Sequence, residues 1–364
     1  MNKKVALVTD LKVVDSPQAG LGVARCLKEA NFEIIGVDDT PFVTQNSDLF
    51  KKVFCWDELR TLNFDGLIKK LIDIKRIYGL DYIFPCYDET TILFSFIKDK
   101  LDFLKIKLVA PPKQTIKSLR KDNLDKIIKD SDKYLVPRGK VFSTVNGALK
   151  YASSLGYPVI CKGLTKGAYI SKNEDDLKQN TQKIANIWNN GEISCLIEEF
   201  ITGKYKNCII AINENRIVGF VEMEKIGLDQ NGATWFGKIK QTKDLFPLAE
   251  ELVKSNDFTT SIVEIETIEK DGSYFVYEIN PRSPAWIYAP CLLGLNLPRL
   301  VTSSSNRKVN FIKKEGFFGR EAKDFIRQDI QGYEGKIGFY SKGAAYKSKD
   351  LKPDFSINPN FSSF

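Results

Sequence analysis

Short apolar runs alternate with amphipathic segments over the first 111 residues. The runs that predict buried strands lie at residues 5–8, 32–38, 81–86 and 106–111. Between them, segments such as "LGVARCLKEA" and "FDGLIKKLIDIKRIYG" repeat apolar residues every three or four positions, a spacing typical of helices packed on a sheet. Strands and helices that alternate in this order form parallel sheets. Residues 1–111 are therefore predicted to form a small, doubly wound α/β domain.

The pattern changes after Pro111 and Pro112, which mark a boundary. Residues 112–195 predict a basic helix followed by helix, strand, tight connection, strand and helix. Residues 196–310 are rich in strand-type alternation, and the turn sequences "NENR" and "EKDGS" predict two hairpins. Residues 311–364 form a basic C-terminal extension, in which "GREAKDFIRQDI" has the pattern of an amphipathic helix. We expect an α/β protein, α+β in its middle parts, built from these four segments.

The stretch "YEINPRSPAW" places three polar groups on one side of a predicted strand. Side chains alternate faces along a strand, so Glu278, Asn280 and Arg282 point the same way. Burying such a face without a bound partner costs free energy. Carboxylate and carboxamide oxygens suit Mg²⁺, however, and a guanidinium group suits a phosphate. The stretch therefore predicts a site for a metal ion and a phosphate group.

Three other segments contribute polar side chains to this hypothesis. Glu264 in "SIVEIET" lies across the "EKDGS" turn, and we expect it to face Glu278 with a divalent cation between the two carboxylates. Lys162 is the only charged residue of the strand "YPVICKG" and could either neutralise a phosphate or extend into solvent. The adjacent carboxylates of "LIEEF" (196–200) could flank a backbone that binds an adenine edge, or could end a strand in solvent.

The composition excludes several kinds of chemistry. The chain of 364 residues has no histidine, which excludes Ser/His and Cys/His nucleophiles and removes the usual zinc and haem ligands. Its seven cysteines are scattered and include no CxxC pair, which argues against a disulfide framework. The net charge of +8 predicts an anionic partner. The apolar runs are too short for a signal peptide or a membrane span, so we expect a cytoplasmic protein without membrane contacts.

Taken in order, these segments resemble the ATP-grasp superfamily, in the branch of carbamoyl phosphate synthetase large subunits and carboxylate-amine ligases. The resemblance covers about residues 1 to 300. "GYPVICKG" is similar to the family's lysine-bearing strand, "LIEEFITG" to its adenine hinge, and "IVEIE" with "YEINPR" to its two metal-bearing strands. The resemblance implies an ATP-grasp fold, with residues 1–111 as a Rossmann-like domain, 112–195 as the lid and 196–310 as the subdomain with the metal site.

The resemblance also assigns a role to each candidate residue. It implies that the residues that bind the nucleotide are Arg120 or Lys121, Lys162, Glu198, Glu199, Phe200 and Ile201. It implies that Glu264, Glu278 and Asn280 bind Mg²⁺ or Mn²⁺, with Glu278 between two ions. Lys162 and Arg282 would be catalytic, and Arg282 would hold the transferred phosphoryl group.

Two segments depart from the family pattern. The phosphate-covering loop "KGLTKGAY" keeps only Gly163 and Gly167, where the family carries several glycines in a row. The segment "GKYKNC" has lysines where the family has a carboxylate for the ribose hydroxyls, which leaves the ribose-binding residue open, with Glu198 as one candidate. These departures bear on how the nucleotide is covered and on how its sugar is bound.

The implied activity is that of an ATP- and Mg²⁺-dependent ligase, which activates a carboxylate as an acyl phosphate for capture by an amine or other nucleophile. Two alternatives stay open: a ligase that acts on a peptide or protein carboxylate, and a degenerate protein that only binds nucleotide. The expected partners are a small-molecule or peptide carboxylate and an amine acceptor. Whether the chain forms a homodimer is left open. We do not expect nucleic acid, because residues 1–300 lack basic clusters interleaved with aromatics.

Overall fold

The described residues of the computed structural model form three β-sheets. The structure describes residues 3–12, 19–40, 48–61, 63–128, 131–164, 167–188, 191–228, 234–303 and 308–319. Among these residues, the helices are too short or too polar to span a lipid bilayer.

The first sheet is parallel and has five strands within the described residues, in the order β3-β2-β1-β4-β5. Its elements are β1 (Val5–Thr9), α1 (Ala19–Glu29), β2 (Glu33–Asp38), β3 (Lys52–Cys55), α2 (Glu58–Thr61), α3 (Phe64–Tyr78), β4 (Tyr82–Phe84), α4 (Asp88–Phe96), α5 (Lys98–Phe103) and β5 (Lys107–Leu108). Strand β1 is wholly buried, as the apolar run predicted. The doubly wound α/β arrangement predicted for this region is confirmed.

The second sheet is small and antiparallel. Its four strands among the described residues follow the order β7-β10-β8-β9. The elements of this region are α6 (Lys113–Ser118), α7 (Leu124–Ile127), β6 (Tyr134–Leu135), β7 (Gly139–Phe142), α8 (Val145–Leu155), β8 (Val159–Gly163), β9 (Ala168–Ser171), α9 (Glu174–Trp188) and β10 (Cys195–Glu199). Helices α8 and α9 pack on one face of the sheet, and their apolar side chains form a separate core with it.

The third sheet is the largest and holds eight strands among the described residues. They follow the order β17-β13-β12-β11-β14-β15-β6, with β16 added beside β12. The remaining elements are β11 (Lys204–Asn213), β12 (Arg216–Leu228), β13 (Thr234–Lys240), α10 (Phe246–Ser255), β14 (Ser261–Lys270), β15 (Ser273–Asn280), α11 (Tyr288–Leu292), α12 (Leu297–Val301), β16 (Asn310–Phe311) and β17 (Gly316–Gly319). Strands β16 and β17 show that the start of the C-terminal extension joins this sheet.

Both predicted hairpin turns are present. Glu214 and Asn215 connect β11 to β12 with φ of 50° and 59°, and Asp271 and Gly272 connect β14 to β15 with φ of 52° and 82°. Two residues in the left-handed region give the tight turn whose twist matches antiparallel strands. The turn at Asp271 fixes where the pairing of β14 and β15 begins.

One apolar core joins the first sheet to the third. It contains side chains of β1 and α1 together with residues of β11, β12 and β13, and with Trp286 and Ile287 after β15. Polar contacts reinforce the junction, because Lys4 Nζ donates to the carbonyl of Thr302 at 2.8 Å and Asn296 Nδ2 donates to the carbonyl of Cys26 at 2.6 Å. The end of β15 is thus held against the first sheet.

A second core covers the opposite face of the third sheet. Leu119, Leu124 and Ile128 from the start of the second segment pack there with α10. Residues 113–128 therefore lie on the large sheet, although the sequence grouped them with the second segment. The division into four segments remains a prediction, and the helix expected at 319–330 lies beyond the described residues apart from Gly319.

Candidate active site

A β-bulge on β15 builds the polar face predicted from "YEINPR". Starting at the Asp271 turn, an unbroken ladder would pair Glu278 with Ile265 and turn it to the opposite face. The register shifts between Glu266 and Thr267, with Tyr277 as the extra residue, so Glu278 pairs with Glu266. Tyr277, Glu278 and Asn280 consequently share a face with the carboxylates of β14.

The expectation that Glu264 faces Glu278 is wrong. Glu264 pairs with Asn280, and the residue opposite Glu278 is Glu266. The sequence "EIE" offered both carboxylates on one face of β14. Only the bulge decides which of them meets Glu278, and it has no clear signature in the sequence.

Glu264 lies behind the polar face and is saturated by N–H donors. Its Oε1 accepts from Asn207 Nδ2 and from Trp286 Nε1, each at 2.7 Å, and its Oε2 accepts from Asn280 Nδ2 at 3.3 Å. Burial, with the charge of Glu266, raises the pKa of Glu264 to about 7. A carboxylate that accepts from three N–H groups orients its neighbours. Glu264 therefore does not fit the metal-ligand role implied by the resemblance.

Glu266 is the site residue that the sequence interpretation missed. Its Oε1 accepts from Asn280 Nδ2 at 2.9 Å, and its Oε2 accepts from Tyr277 Oη at 2.7 Å and from the ammonium group of Lys225. Burial alone would raise the pKa of Glu266, but the Lys225 charge outweighs it and holds the pKa at about 2. Glu266 is therefore an ionised carboxylate inside a ring of donors.

Contact with Glu278 distinguishes Lys121 from Arg120, the two basic residues considered for phosphate binding. Lys121 Nζ lies 3.0 Å from Glu278 Oε1, whereas Arg120 pairs with Asp122 Oδ1 at 3.0 Å and is exposed. Burial opposes the charged form of Lys121, yet Glu278 and its acidic neighbours raise its pKa. The structure places Lys121 in the site and Arg120 outside it.

Asn280 and Arg282 continue the face toward the first sheet. Because Asn280 Nδ2 donates to both β14 carboxylates, its Oδ1 is turned toward Arg282, whose Nη2 lies 3.5 Å away. The Arg282 guanidinium also grips Asp88, the first residue of α4, through Nε at 2.9 Å and Nη2 at 3.3 Å. Burial opposes that charge, but the Asp88 carboxylate raises the Arg282 pKa further. Arg282 thus links the third sheet to the first.

Lys162 reaches the same region from the second sheet. Its side chain is only 7% exposed and forms an ion pair with Glu198, which is 3% exposed. Its Nζ also donates to the carbonyl of Tyr277 at 3.4 Å, so β8 touches the bulge of β15. Lys162 therefore faces the polar site and does not extend into solvent. Glu198 is occupied with Lys162, which disfavours it as a candidate for binding the ribose.

The residues of the expected adenine hinge follow β10. Glu199 accepts from the backbone N–H of Arg138 at 2.9 Å and from its guanidinium at 2.8 Å, which ties β10 to the segment before β7. Phe200 is half-buried and Ile201 is buried. The Glu199 carboxylate is thus engaged with the chain itself, so the adenine role rests on the backbone of Phe200 and Ile201.

The side-chain oxygens of β15 suit a single hard cation, and one of them, Asn280 Oδ1, also accepts from Arg282 Nη2 at 3.5 Å. Glu278 Oε2 and Asn280 Oδ1 lie two residues apart on β15, and both are hard donors of the kind that Mg²⁺ prefers. Within the described part of the chain, His, Cys, Asp and Glu side chains form no group of three or more in a metal-binding arrangement. Nucleotide sites commonly hold Mg²⁺ by one or two side chains and complete its shell with phosphate and water. Glu278 and Asn280 fit such an ion.

We expect the Lys162→Met variant to lose stability as well as nucleotide binding. Removing one partner of a buried ion pair leaves the Glu198 carboxylate uncompensated, which typically costs about 3–5 kcal/mol of unfolding free energy. Urea unfolding of the ligand-free protein measures this loss.

The double variant Lys162→Met with Glu198→Gln serves as the matched control. It removes both charges and should recover most of the stability while still binding nucleotide weakly. Equal stability of wild type and Lys162→Met would contradict the pairing, and wild-type nucleotide affinity of the double variant would contradict the phosphate role.

Solved structures share this arrangement of sheets, although no protein-family model matches the sequence. The biotin carboxylase domain of Hydrogenobacter thermophilus 2-oxoglutarate carboxylase, solved with MgADP, ADP and bicarbonate, is 15% identical, with a TM-score of 0.65 over 87% of this chain and 74% of that chain. N5-carboxyaminoimidazole synthetase from Staphylococcus aureus is 14% identical, with a TM-score of 0.65 over 88% and 84%. L-amino acid ligase from Bacillus licheniformis is 13% identical, with a TM-score of 0.62 over 84% and 74%.

These similarities cover 84% to 88% of this chain and confirm the predicted ATP-grasp fold. In this chain, contacts of Lys162 with Tyr277 and of Arg282 with Asp88 bring the second and first sheets to the polar face of β14 and β15. At this level of identity the comparison establishes architecture, and chemistry has to be argued from the residues themselves.

Proposed function

We propose that the protein is an ATP- and Mg²⁺-dependent ligase that activates a carboxylate as an acyl phosphate and joins it to an amine. The observation that carries this proposal is the convergence of side chains from the second and third sheets, and from the segment before the second, on one polar face. The second sheet contributes Lys162, the segment before it contributes Lys121, and the third sheet contributes Glu278, Asn280 and Arg282. This face thus combines cationic groups, which suit phosphates, with oxygen donors, which suit a metal ion. Recognition of a metal–triphosphate requires both.

The structural neighbours support the nucleotide and the reaction class. The Hydrogenobacter domain was solved with MgADP and bicarbonate, and the Bacillus licheniformis protein is an L-amino acid ligase. In this chain, Lys121 and Lys162 would neutralise the phosphates of ATP. Bound by Glu278 and Asn280, Mg²⁺ would supply the positive charge that a polyphosphate needs.

In the first step, a carboxylate oxygen of the substrate attacks the γ-phosphorus of ATP. The bond from that phosphorus to the bridging oxygen breaks, and ADP leaves with the electron pair. Arg282 would hold the transferred phosphoryl group, because its planar fork matches two phosphate oxygens. Asp88 accepts from its Nε and Nη2, and Nη2 also donates to Asn280 Oδ1, so both neighbours fix the guanidinium group. This arrangement costs little reorganisation as charge develops.

In the second step, the amine attacks the acyl carbon of the intermediate and phosphate leaves, while the amine loses one proton. The chain needs no nucleophile of its own for either step, which agrees with its lack of histidine. An acyl phosphate hydrolyses in water, so the site must exclude solvent. The first and second sheets flank the polar face and are positioned to do this.

We expect the protein to release ADP when ATP, Mg²⁺ and a suitable carboxylate are present together. A panel of amino acids, small carboxylates and peptides, assayed with hydroxylamine as the amine, detects the intermediate directly. Hydroxylamine captures an acyl phosphate as a hydroxamate, which is measured by colour with iron(III). Hydroxamate should form in a one-to-one ratio with ADP.

Each component serves as its own control in this assay. Omission of the carboxylate or chelation of the metal should abolish both products. ATP hydrolysis at the same rate without any carboxylate would contradict the ligase reaction, and binding of ATP without turnover on the whole panel would favour the degenerate nucleotide-binding alternative.

A further inference from the structure

Lys225 is a buried lysine on β12 that the proposed chemistry does not use. Its side chain is 4% exposed, and its ammonium group forms an ion pair with Glu266 Oε2. The same Nζ donates to Tyr277 Oη at 3.2 Å and lies 5.9 Å from the centre of the Tyr277 ring. An ammonium buried this deeply needs strong compensation, and Glu266 and Tyr277 together provide it.

Glu266 has a complete set of partners inside the protein. Lys225 and Tyr277 donate to Oε2, and Asn280 donates to Oε1. These partners donate protons to the same carboxylate oxygens that a metal ion would bind. They therefore compete with a metal ion for Glu266. Burial opposes the charged form of Lys225, but Glu266 and Glu264 raise its pKa, so the ammonium stays protonated at neutral pH.

The neighbouring pair of Lys121 and Glu278 differs in its exposure. The Glu278 side chain is 27% exposed, against 13% for Glu266. Lys121 lies on a short 3₁₀ turn outside the sheet, whereas Lys225 lies within β12, where it pairs with Gly237 of β13 next to a shift in register. A metal–nucleotide complex can therefore reach Glu278 from the open side and displace Lys121. It cannot reach Glu266 without displacing a lysine held by the sheet.

We propose that Lys225 replaces one of the two divalent cations expected at this site, as the permanent counter-ion of Glu266. The site then binds a single metal ion with the nucleotide, at Glu278 and Asn280. This inference rests on the proposed function, because it concerns how that site is charged. The physical reason is repulsion: a divalent ion on Glu266 would lie within a few ångströms of a fixed ammonium group, in a buried environment with weak screening.

Counting bound metal tests the inference without turnover. Mn²⁺ is titrated into the protein with the non-hydrolysable analogue AMP-PNP, and free Mn²⁺ is read from its electron paramagnetic resonance signal. The wild type should bind one Mn²⁺ per chain. The Lys225→Met variant removes the ammonium with little change in volume and frees Glu266, so it should bind two. Two Mn²⁺ ions on the wild type, or one on Lys225→Met, would overturn the inference.

Matched variants separate the charge of Lys225 from its packing. Lys225→Arg keeps the cation and should bind one Mn²⁺. Lys206→Met removes a half-buried lysine of the adjacent strand β11, which pairs with Glu269 at 2.9 Å, and should also bind one. The wild-type count decides the matter even if Lys225→Met does not fold. Absence of any Mn²⁺-dependent AMP-PNP binding by the wild type would contradict the proposed function, an outcome distinct from a count of two.

Discussion

The Glu278→Gln variant should fold normally and lose nearly all carboxylate-dependent ADP release. The change keeps the shape of the side chain but removes the charge that faces Lys121 and the charge that would bind the metal ion. We expect kcat to fall by roughly 10²–10³-fold, in the range seen when a preorganised electrostatic contact to a transition state is lost. Steady-state ADP release at saturating ATP and Mg²⁺ measures the loss.

Glu269→Gln is the matched control for this experiment. Glu269 also lies in the β14–β15 hairpin, pairs with a lysine at 2.9 Å, and has a side chain 26% exposed, close to the 27% of Glu278. It lies near the turn, away from the polar face. Near-normal turnover of Glu278→Gln, or an equal loss in both variants, would remove Glu278 from the metal-binding role.

The Arg282→Lys variant should retain much of the ATP affinity and lose turnover by roughly 10²–10³-fold. Lysine keeps the positive charge, but a single ammonium cannot hold two phosphate oxygens as the guanidinium does. The interaction strengthens as charge moves onto the transferred group, so the loss should fall on kcat more than on KM. ADP release as a function of ATP concentration separates the two parameters.

The ion pair of Arg282 with Asp88 offers a competing explanation that the experiment must exclude. If Arg282 only ties the third sheet to the first, lysine should substitute with little kinetic cost. In that case Asp88→Asn should impair the enzyme as much as Arg282→Lys does. If the guanidinium acts on the phosphoryl group, Asp88→Asn should cost much less in kcat. A raised KM with unchanged kcat in Arg282→Lys would contradict the transition-state role.

Local patterns in the sequence determined the elements of the fold and one strand of the site. Alternating apolar runs and helical periods indicate four strands of the parallel first sheet, of which β1 and β4 are buried along their whole length, whereas the short and partly exposed β3 has no such run. Three of the four turn residues, Asn215, Asp271 and Gly272, are of types that tolerate a positive φ, and Glu214 adopts a positive φ beside Asn215. Glu278 and Asn280 share a face because they are two residues apart on one strand, and that relation needs no tertiary contact.

Only the tertiary structure decided which charges meet. The bulge at Tyr277 pairs Glu278 with Glu266 and leaves Glu264 opposite Asn280, because one extra residue exchanges the faces of a strand. Lys225 enters the site through the packing of β12, and its sequence neighbourhood gives no sign of this. Asp88 and Arg282 are 194 residues apart, and Lys162 and Tyr277 are 115 apart. Periodicity reports the face of a single element, whereas the identity of a partner across the site depends on how separate sheets pack.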